Sequence, residues 1–385
     1  MKIAFLCTCL EPGRDGVGDY TRRLAAELIR QGHFSAAISL NDKYISSKFI
    51  GIQPSEGTDL PILRLPSTWA MKIRISHAKR YIDEFDPDWL SLQFVIFGFH
   101  HKGLPIGLGR QLAPLGIGRR WHIMFHELWL GMEMRSSKKH YLWGGVQRLL
   151  IKSLISALKP EIIHTHTNLY QQQLVKLGFI VQHLPLFSNI PNSNNVGLNS
   201  IQSFKNAKSI NLVIFGTIFP NAPVEDFANE VANYAAKNGV EICLTVVGRC
   251  GSEQERWASK WAASGMTLNM LGEQPVNNIS KVLGTASMGI STTPIALIEK
   301  SGSVAAMLEH GLPVICVPFP WQPKKFKDLK TPAGISLYQK GNLESIFASR
   351  FDAPVMNSVS TISHQLVNAL ITALEYGKYS LPLVK

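Results

Sequence analysis

At 385 residues the chain exceeds one comfortable hydrophobic core, so two domains of roughly 150 to 200 residues each are expected. Its 45% hydrophobic and 17% charged residues are the composition of a folded globular chain, poorer in charge than the usual ~25%, and exclude intrinsic disorder. The net charge of +12 is uneven: residues 1 to 190 hold 23 Lys/Arg against 14 Asp/Glu, and the remainder 16 against 13, so the basic excess sits in the N-terminal half.

The opening MKIAFLCTCLEPG has one Lys and a short apolar run, but no small-residue cleavage site, and it breaks at Glu11-Pro12. It reads as a first buried strand and not as a signal peptide. No apolar run reaches the ~18 residues that a membrane span needs, so a soluble or peripheral protein is expected. The five cysteines (Cys7, Cys9, Cys243, Cys250, Cys316) are odd in number and lie in or beside strand-like runs. They suggest neither a disulfide framework nor a zinc site, and they point to a reducing, cytoplasmic setting.

Apolar runs then alternate with amphipathic segments from end to end, the pattern of βαβ units around a mainly parallel sheet. In the first half the spacing predicts strands at Ile3 to Thr8, Ser35 to Leu40, Trp89 to Phe94, Trp121 to Phe125 and Ile162 to Thr165. Helices are predicted at Tyr20 to Gln31, Ala70 to Glu84, Leu142 to Leu158 and Leu169 to Leu177. After Phe187 the chain turns rich in Asn and Ser and loses its periodicity, which places a linker there. A second unit follows, with strands at Asn211 to Phe215, Glu241 to Val247, Met266 to Leu271, Met288 to Ser291 and Pro313 to Val317. Its helices are predicted at Val224 to Lys237, Ser252 to Ala263, Val276 to Leu283 and Ser303 to Glu309. A last long helix, Ser358 to Tyr376, is expected to run back across the first domain. The expected architecture is α/β: two Rossmann-like, doubly wound parallel-sheet domains facing a cleft, over residues 1–190 and 210–357, with a linker at 191–209 and a C-terminal helical segment at 358–385.

In open α/β sheets ligands bind beyond the carboxyl ends of the strands, so the loops leaving the strands carry the candidate chemistry. The loop EPGRDGVGDY places Gly13, Gly16 and Gly18 between strand one and helix one, where open backbone N–H groups suit an anion or a sugar. As a dinucleotide fingerprint it is poor: the glycines come late after the strand, Thr21 occupies the third position, and Asp42 is the acidic candidate for a ribose. In MFHELW, His126 and Glu127 leave a buried strand together and form the candidate catalytic pair. A His at a strand tip can serve as a donor to, or general base on, a sugar hydroxyl, while a buried structural His is the plainer alternative.

In the second half, FGTIFPNAPVEDF brings Thr217 and VVGRCGSEQ brings Arg249, each just past a strand with a Gly at its tip. Arg249 supplies a fixed cation for a diphosphate. The stretch IEKSGSVAAMLEHGLPVICV puts Glu299 and Lys300 before Ser301, Gly302 and Ser303 at a helix start. Point charge, hydroxyls, open N–H groups and the positive end of a helix dipole together favour a phosphate. Asp86-Pro-Asp88 resembles a metal-binding Asp-x-Asp, but it sits in a Pro turn without a second ligand set. No His/Cys spacing supports zinc, and no metal or cofactor is expected.

Taken together these residues resemble the retaining GT-B-fold glycosyltransferases of family 4. The Gly-rich loop with its helix ending in Gln-Gly-His, the turn-strand FDPDWLSLQF, the run PLFSNIP, LGEQPVNNISKVLGTASMGIS and HGLPVICVP carry the likeness. The resemblance implies a nucleotide-diphosphate sugar held mainly by the second domain, an acceptor held by the first, and metal-independent transfer with retention. It implies that Gly16 and Gly18 approach the donor, that His126 contacts the transferred sugar, and that Gln274 lies near the base.

Two departures stand out. The family's Gly-Arg and Lys after the first strand of the second domain are missing from FGTIFPNAPVEDF. Its paired Glu positions fall on Ile298, one step from Glu299, and on Ala306, with Glu309 out of register. Either Lys300, Arg249 and the Ser-Gly-Ser start take over the phosphate, or donor binding is altered or lost.

The basic residues gather at Thr68 to Tyr81, at Arg119-Arg120-Trp121, and at Arg135 to Arg148. They suit an anionic acceptor or the anionic inner face of a membrane; nucleic acid is not the expected partner. A nucleotide-sugar isomerase and a non-catalytic binding protein of the same fold are the alternatives to a transferase.

Overall fold

A computed structural model of the chain describes residues 1–192, 204, 207–324, 326, 330–349 and 357–379. The chain divides into two compact units. The first comprises Met1–Met132, Ser136–Pro185 and Val359–Lys385, and the second Glu133–Arg135 and Leu186–Ser358.

The first unit is built on an eight-stranded sheet: β1 (Lys2–Cys7), β2 (Phe34–Asp42), β3 (Phe49–Ser55), β4 (Thr58–Pro66), β5 (Trp89–Phe94), β6 (Arg120–Phe125), β7 (Ile162–Thr165) and β8 (Gln182–His183). Their order is β3-β4-β2-β1-β5-β6-β7-β8, parallel except that β3 runs antiparallel to β4. The helices are α1 (Gly16–Arg30), α2 (Met71–Phe85), α3 (Ile96–Phe99), α4 (Leu108–Leu112), α5 (Lys138–Leu158) and α6 (Asn168–Val175). All six residues of β5 and the last five of β1 and β6 are buried, as expected of strands covered on both faces.

The C-terminal helix, Val359–Tyr379, does return to this unit. It buries Ile362, Leu366 and Leu370 on one stripe, accepts through Ser363 Oγ from Gln31 Nε2 of α1 (2.6 Å), and accepts through the Ala373 carbonyl from Arg120 (3.2 Å).

The hairpin β3–β4 is absent from the strands predicted by the spacing. Its two-residue turn is Glu56-Gly57, with φ of 49° and 77°, the primed conformation that Asn-Gly or Asp-Gly usually signals. Glu at the first position and the prolines Pro54 and Pro61 hide it. β3 lies at the sheet edge, where a proline costs no ladder bond.

The second unit holds β9 (Ser209–Phe215), β10 (Glu241–Val247), β11 (Thr267–Gly272), β12 (Met288–Ser291), β13 (Val314–Cys316) and β14 (Ile335–Leu337), all parallel, in the order β11-β10-β9-β12-β13-β14. Helices α7 (Val224–Asn238), α8 (Gln254–Ala263), α9 (Val276–Thr285), α10 (Gly302–Glu309) and α11 (Leu343–Ala348) complete it. β14 and α11 were not among the predicted elements: three and six residues are too few for a period to register.

One core cluster centres on Trp257, Trp261, Phe227 and Phe347, and the other on Val213, Val314, Met307 and Ala306. Most of the predicted linker, 193–203 with 205 and 206, lies outside the described residues. Before it, Ile190 packs into the second unit's core, and Ser188 N–H and Asn192 Nδ2 bond Glu309 (3.2 and 3.1 Å). After it, Ser209 already belongs to β9.

Candidate functional site

In the second unit the carboxyl end of the sheet is shaped by glycines. β9 and β10 stop just before Gly216 and Gly248, and β11 ends on Gly272, with φ of 77°, 90° and 63°. Those left-handed turns let the chain leave sharply while the strand tips stay bonded to one another: Gly216 N–H donates to the Val247 carbonyl (3.1 Å) and Gly248 N–H to the Gly272 carbonyl (2.7 Å).

A hydroxyl-rich helix start stands beside the first of these tips. A Cβ placed on Gly216 would lie 3.5 Å from that of Ser303, so the β9 loop packs directly on the first turn of α10. Ser301 is the N-cap, accepting from Val304 N–H (3.4 Å). Its Oγ also meets Ser303 Oγ (3.1 Å) and Thr293 Oγ1 (3.4 Å), while Thr292 Oγ1 accepts from Phe219 N–H (2.7 Å). Nothing lies within 4 Å of a Cβ on Gly302. Half-buried Glu299 and Lys300 close the 3-10 turn Ile295–Lys300 that delivers the chain to Ser301.

Thus the structure brings Thr217, Ser301, Gly302, Ser303 and Lys300 to one end of one sheet, and adds Thr292 and Thr293. The two threonines follow β12 in Ser-Thr-Thr-Pro, a signal the sequence carried without its position being evident.

Arg249 follows the β10 tip and faces Glu273 past the β11 tip at 3.6 Å; both side chains are more than half exposed, so the pair is weak. Gln274 is bound into its own turn, donating to the Leu271 carbonyl (2.7 Å) and accepting from Asn278 (3.3 Å). Ala306, where the resemblance implied a Glu, is fully buried among Val304, Met307 and Val314. A carboxylate there would face apolar side chains and be costly to bury.

In the first unit, Asp15 caps α1 by accepting from Val17 and Gly18 N–H (2.8 and 3.1 Å). Burial raises its pKa, those N–H bonds oppose the rise, and the nearby carboxylates of Asp19 and Glu127 add to it. Gly16 is exposed at the helix start. Gly18 is buried, and a Cβ there would stand 2.4 Å from the Cys9 carbonyl oxygen, so Gly18 is required by packing. Asp42 is committed to Arg64 (2.8 Å) and to the N–H groups of Leu10 and Tyr44 (3.3 and 3.0 Å). Burial pushes its pKa up, but Arg64 and the N–H donors outweigh this and hold it below the usual carboxylate range. It offers no carboxylate to a ribose. Asp86 and Asp88 bind different partners, Arg119 (3.1 Å) and the Lys2 N–H (2.7 Å).

His126 is buried, and both ring nitrogens are engaged: Nε2 with Gln93 Oε1 (2.9 Å) and Nδ1 with His166 Nε2 (3.0 Å). His166 Nδ1 donates to the Leu184 carbonyl (2.9 Å). Gln93 Nε2 reaches Ser91 Oγ, Ser91 reaches His122 Nδ1, and His122 Nε2 reaches His164 Nδ1, at 2.8, 2.8 and 3.0 Å. The result is one continuous buried chain across β5, β6 and β7, with Tyr20 of α1 set edge-on to both His126 and His166 (5.0 and 5.3 Å).

The His126–His166 contact needs one ring nitrogen to donate and the other to accept, so the tautomers of the two rings are coupled. Gln93 and His166 were not predicted, although Ser91 with Gln93, His122 with His126, and His164 with His166 share parity within apolar runs.

Compared with protein-family models and with curated proteins, the chain finds no match. Among solved structures it is similar to Anabaena HepE in complex with UDP and glucose (TM-score 0.56, 14% identity, covering 97% of this chain and 100% of that one). It is also similar to the lipopolysaccharide outer core galactosyltransferase WaaB (0.51, 12%, 97% and 99%) and to UDP-GlcNAc 2-epimerase from Neisseria meningitidis bound to UDP-GlcNAc (0.54, 9%, 97% and 100%). The fold is that of the GT-B proteins. In GT-B terms, the hydroxyl-rich turn lies in the C-terminal unit and the histidine chain in the N-terminal unit. Among the described residues no helix is long and apolar enough to cross a membrane, and no group of three or more His, Cys, Asp or Glu is arranged to hold a metal.

Proposed function

We propose that the chain is a glycosyltransferase that moves a sugar from a nucleotide-diphosphate donor to an acceptor, without a metal and with retention of configuration. The observation that carries this reading is the α10 start. Ser301, Ser303 and Thr293 converge beside the Gly216 turn, with Lys300 entering the same turn, in a chain that shares its fold over 97% of its length with a UDP-bound structure. A helix N-terminus with hydroxyls and a cation is suited to an anionic diphosphate. Lys300 and Arg249 would supply the positive charge for which the loop after β9 holds no cation, stabilising the departing diphosphate as it takes the acceptor proton.

In this reading His126 and Glu127 line the acceptor side. His126 acts from a ring fixed by Gln93 and His166, and reaches a sugar hydroxyl through Nε2 only by exchanging the Gln93 bond. The acceptor is a glycan, glycolipid or small molecule, anionic in keeping with the basic first half, and the protein works in the cytoplasm or at an anionic membrane face.

Thermal melting with UDP, ADP and GDP in turn tests the donor part. A ligand at 100 times its Kd adds about 2.7 kcal/mol to stability, a shift well above error. No shift with any nucleotide would favour a non-catalytic protein instead. The second enzyme reading, a nucleotide-sugar isomerase, is kept because the solved structures of similar fold include UDP-GlcNAc 2-epimerases. Incubation with UDP-sugars and no acceptor decides it: an isomerase converts the sugar, and a transferase leaves it unchanged.

A further inference from the structure

Of the three basic clusters, two are tempered by acidic neighbours. In α2, Arg74 is turned inward to the Leu40 carbonyl and Asn41 Oδ1, Lys79 pairs with Asp83 (2.7 Å), and Glu84 stands in the same helix. Arg119 pairs with Asp83 and Asp86, and Arg120 with Glu161.

Helix α5 is different. Its 21 residues, KKHYLWGGVQRLLIKSLISAL, contain no Asp or Glu. The inward face buries Ile151, Leu154, Ile155 and Leu158, and a Cβ on Gly144 would stand 1.9 Å from the Leu130 carbonyl oxygen, so that face is fixed against the unit. The outward face carries Leu142, Val146 and Leu149 at i, i+4 and i+7, exposed by 70%, 45% and 66%. Lys138 lies one turn before this stripe and Lys152 just after it, with Lys139 alongside, and all three lysines are exposed. The Trp143 indole N–H bonds the Lys102 carbonyl (2.9 Å), which brings the exposed His101-Lys102 turn beside the helix. Among the described residues no acidic side chain pairs with Lys102, Lys138, Lys139 or Lys152.

An aliphatic stripe of this exposure has a cost in water, and a lysine border without carboxylates selects a negatively charged, laterally extended partner. We propose that the outward face of α5 docks on an anionic lipid surface. Leu142, Val146 and Leu149 enter the headgroup boundary, and Lys102, Lys138, Lys139 and Lys152 meet the headgroups. This gives the membrane part of the proposed function its surface. Because the test uses no nucleotide, failure of the transferase reading, seen in the melting experiment, stays distinguishable from failure of this one.

The experiment is co-sedimentation of the full chain with vesicles of phosphatidylcholine alone or mixed with phosphatidylglycerol, at low salt. Two variants are run beside it: Lys138→Ala/Lys139→Ala/Lys152→Ala and Leu142→Asn/Leu149→Asn. Exposed positions leave the fold intact, checked by circular dichroism and melting. Binding is expected to the acidic vesicles only, and to weaken by roughly fivefold for each lysine removed. The leucine variant is expected to bind weakly at low salt and to lose binding on raising salt, where the native chain persists.

The proposal is overturned if the native chain ignores acidic vesicles, or if neither variant weakens its binding. It is equally overturned if the leucine pair instead controls self-association measured by light scattering, or if the lysines retain duplex RNA while vesicles are ignored.

Discussion

His126 Nδ1 and His166 Nε2 stand 3.0 Å apart, joining a side chain from the tip of β6 to one from the tip of β7. The contact matters because Gln93 holds the other nitrogen of His126, so both ring nitrogens are held from neighbouring strands while Tyr20 of α1 packs edge-on against the ring. Replacing Gln93 by Leu removes one hydrogen-bond partner of His126 and one of Ser91. The expected cost is about 1–3 kcal/mol for each buried group left unpaired. His166→Leu should cost a similar amount, and the double variant less than the sum, since both act on one ring. Urea denaturation of the three variants measures this. Strict additivity would mean that the chain is not a connected unit.

The inner end of the chain gives a pH dependence. Burial holds the pKa of His122 well below its ordinary value and that of His164 at about 4, with the neighbouring histidines acting in the same direction. Unfolded, each histidine takes up a proton near pH 6.5; folded, each resists. The unfolded state therefore binds more protons on acidification, and stability falls as pH drops from about 6.5 towards 4, by up to about 1.4 kcal/mol per pH unit per histidine. The denaturation midpoint should decline already between pH 6.5 and 5, above the range of most carboxylates. A flat midpoint across that window would contradict the buried neutral rings.

Arg64 is the partner on which a fully buried carboxylate depends. The Asp42 side chain is 0% exposed and that of Arg64 10% exposed. Arg64→Leu strands the Asp42 charge and should cost about 3–5 kcal/mol. Adding Asp42→Asn should recover part of that loss, and chemical denaturation of the single and double variants reads the difference.

Lys300→Ala tests the diphosphate assignment. Removing one cation from a site that stabilises a leaving phosphate is expected to lower kcat/KM by about 10²–10³ while leaving the melting temperature of the nucleotide-free protein nearly unchanged. Nucleotide affinity by calorimetry should fall as well. Unchanged turnover and affinity in a folded preparation would remove Lys300 from the site.

Gly18→Ala separates packing from ligand contact. The added methyl would overlap the Cys9 carbonyl, so a loss of about 1–3 kcal/mol in stability is expected without nucleotide present. A variant with native stability and lost donor binding would restore Gly18 to a ligand role.

By itself the sequence determined the α/β architecture. The spacing of runs such as WLSLQF and RWHIMF against amphipathic segments such as GVGDYTRRLAAELIR depends on local periodicity, and periodicity is written along the chain. It also marked Ser301 as a helix start, because a cap is a contact with residues three positions away.

What only the tertiary structure decided depends on partners distant in sequence. His126 meets Gln93 and His166 across separations of 33 and 40 residues, and Arg64 meets Asp42 across 22. Strand order fixed those pairings, and with them turned isolated buried polar residues into a chain. Likewise the basic clusters look alike in composition. Which of them faces solvent without carboxylates follows from how Arg119 and Arg120 find Asp83, Asp86 and Glu161, and from which side of α5 the packing of Gly144 turns inward.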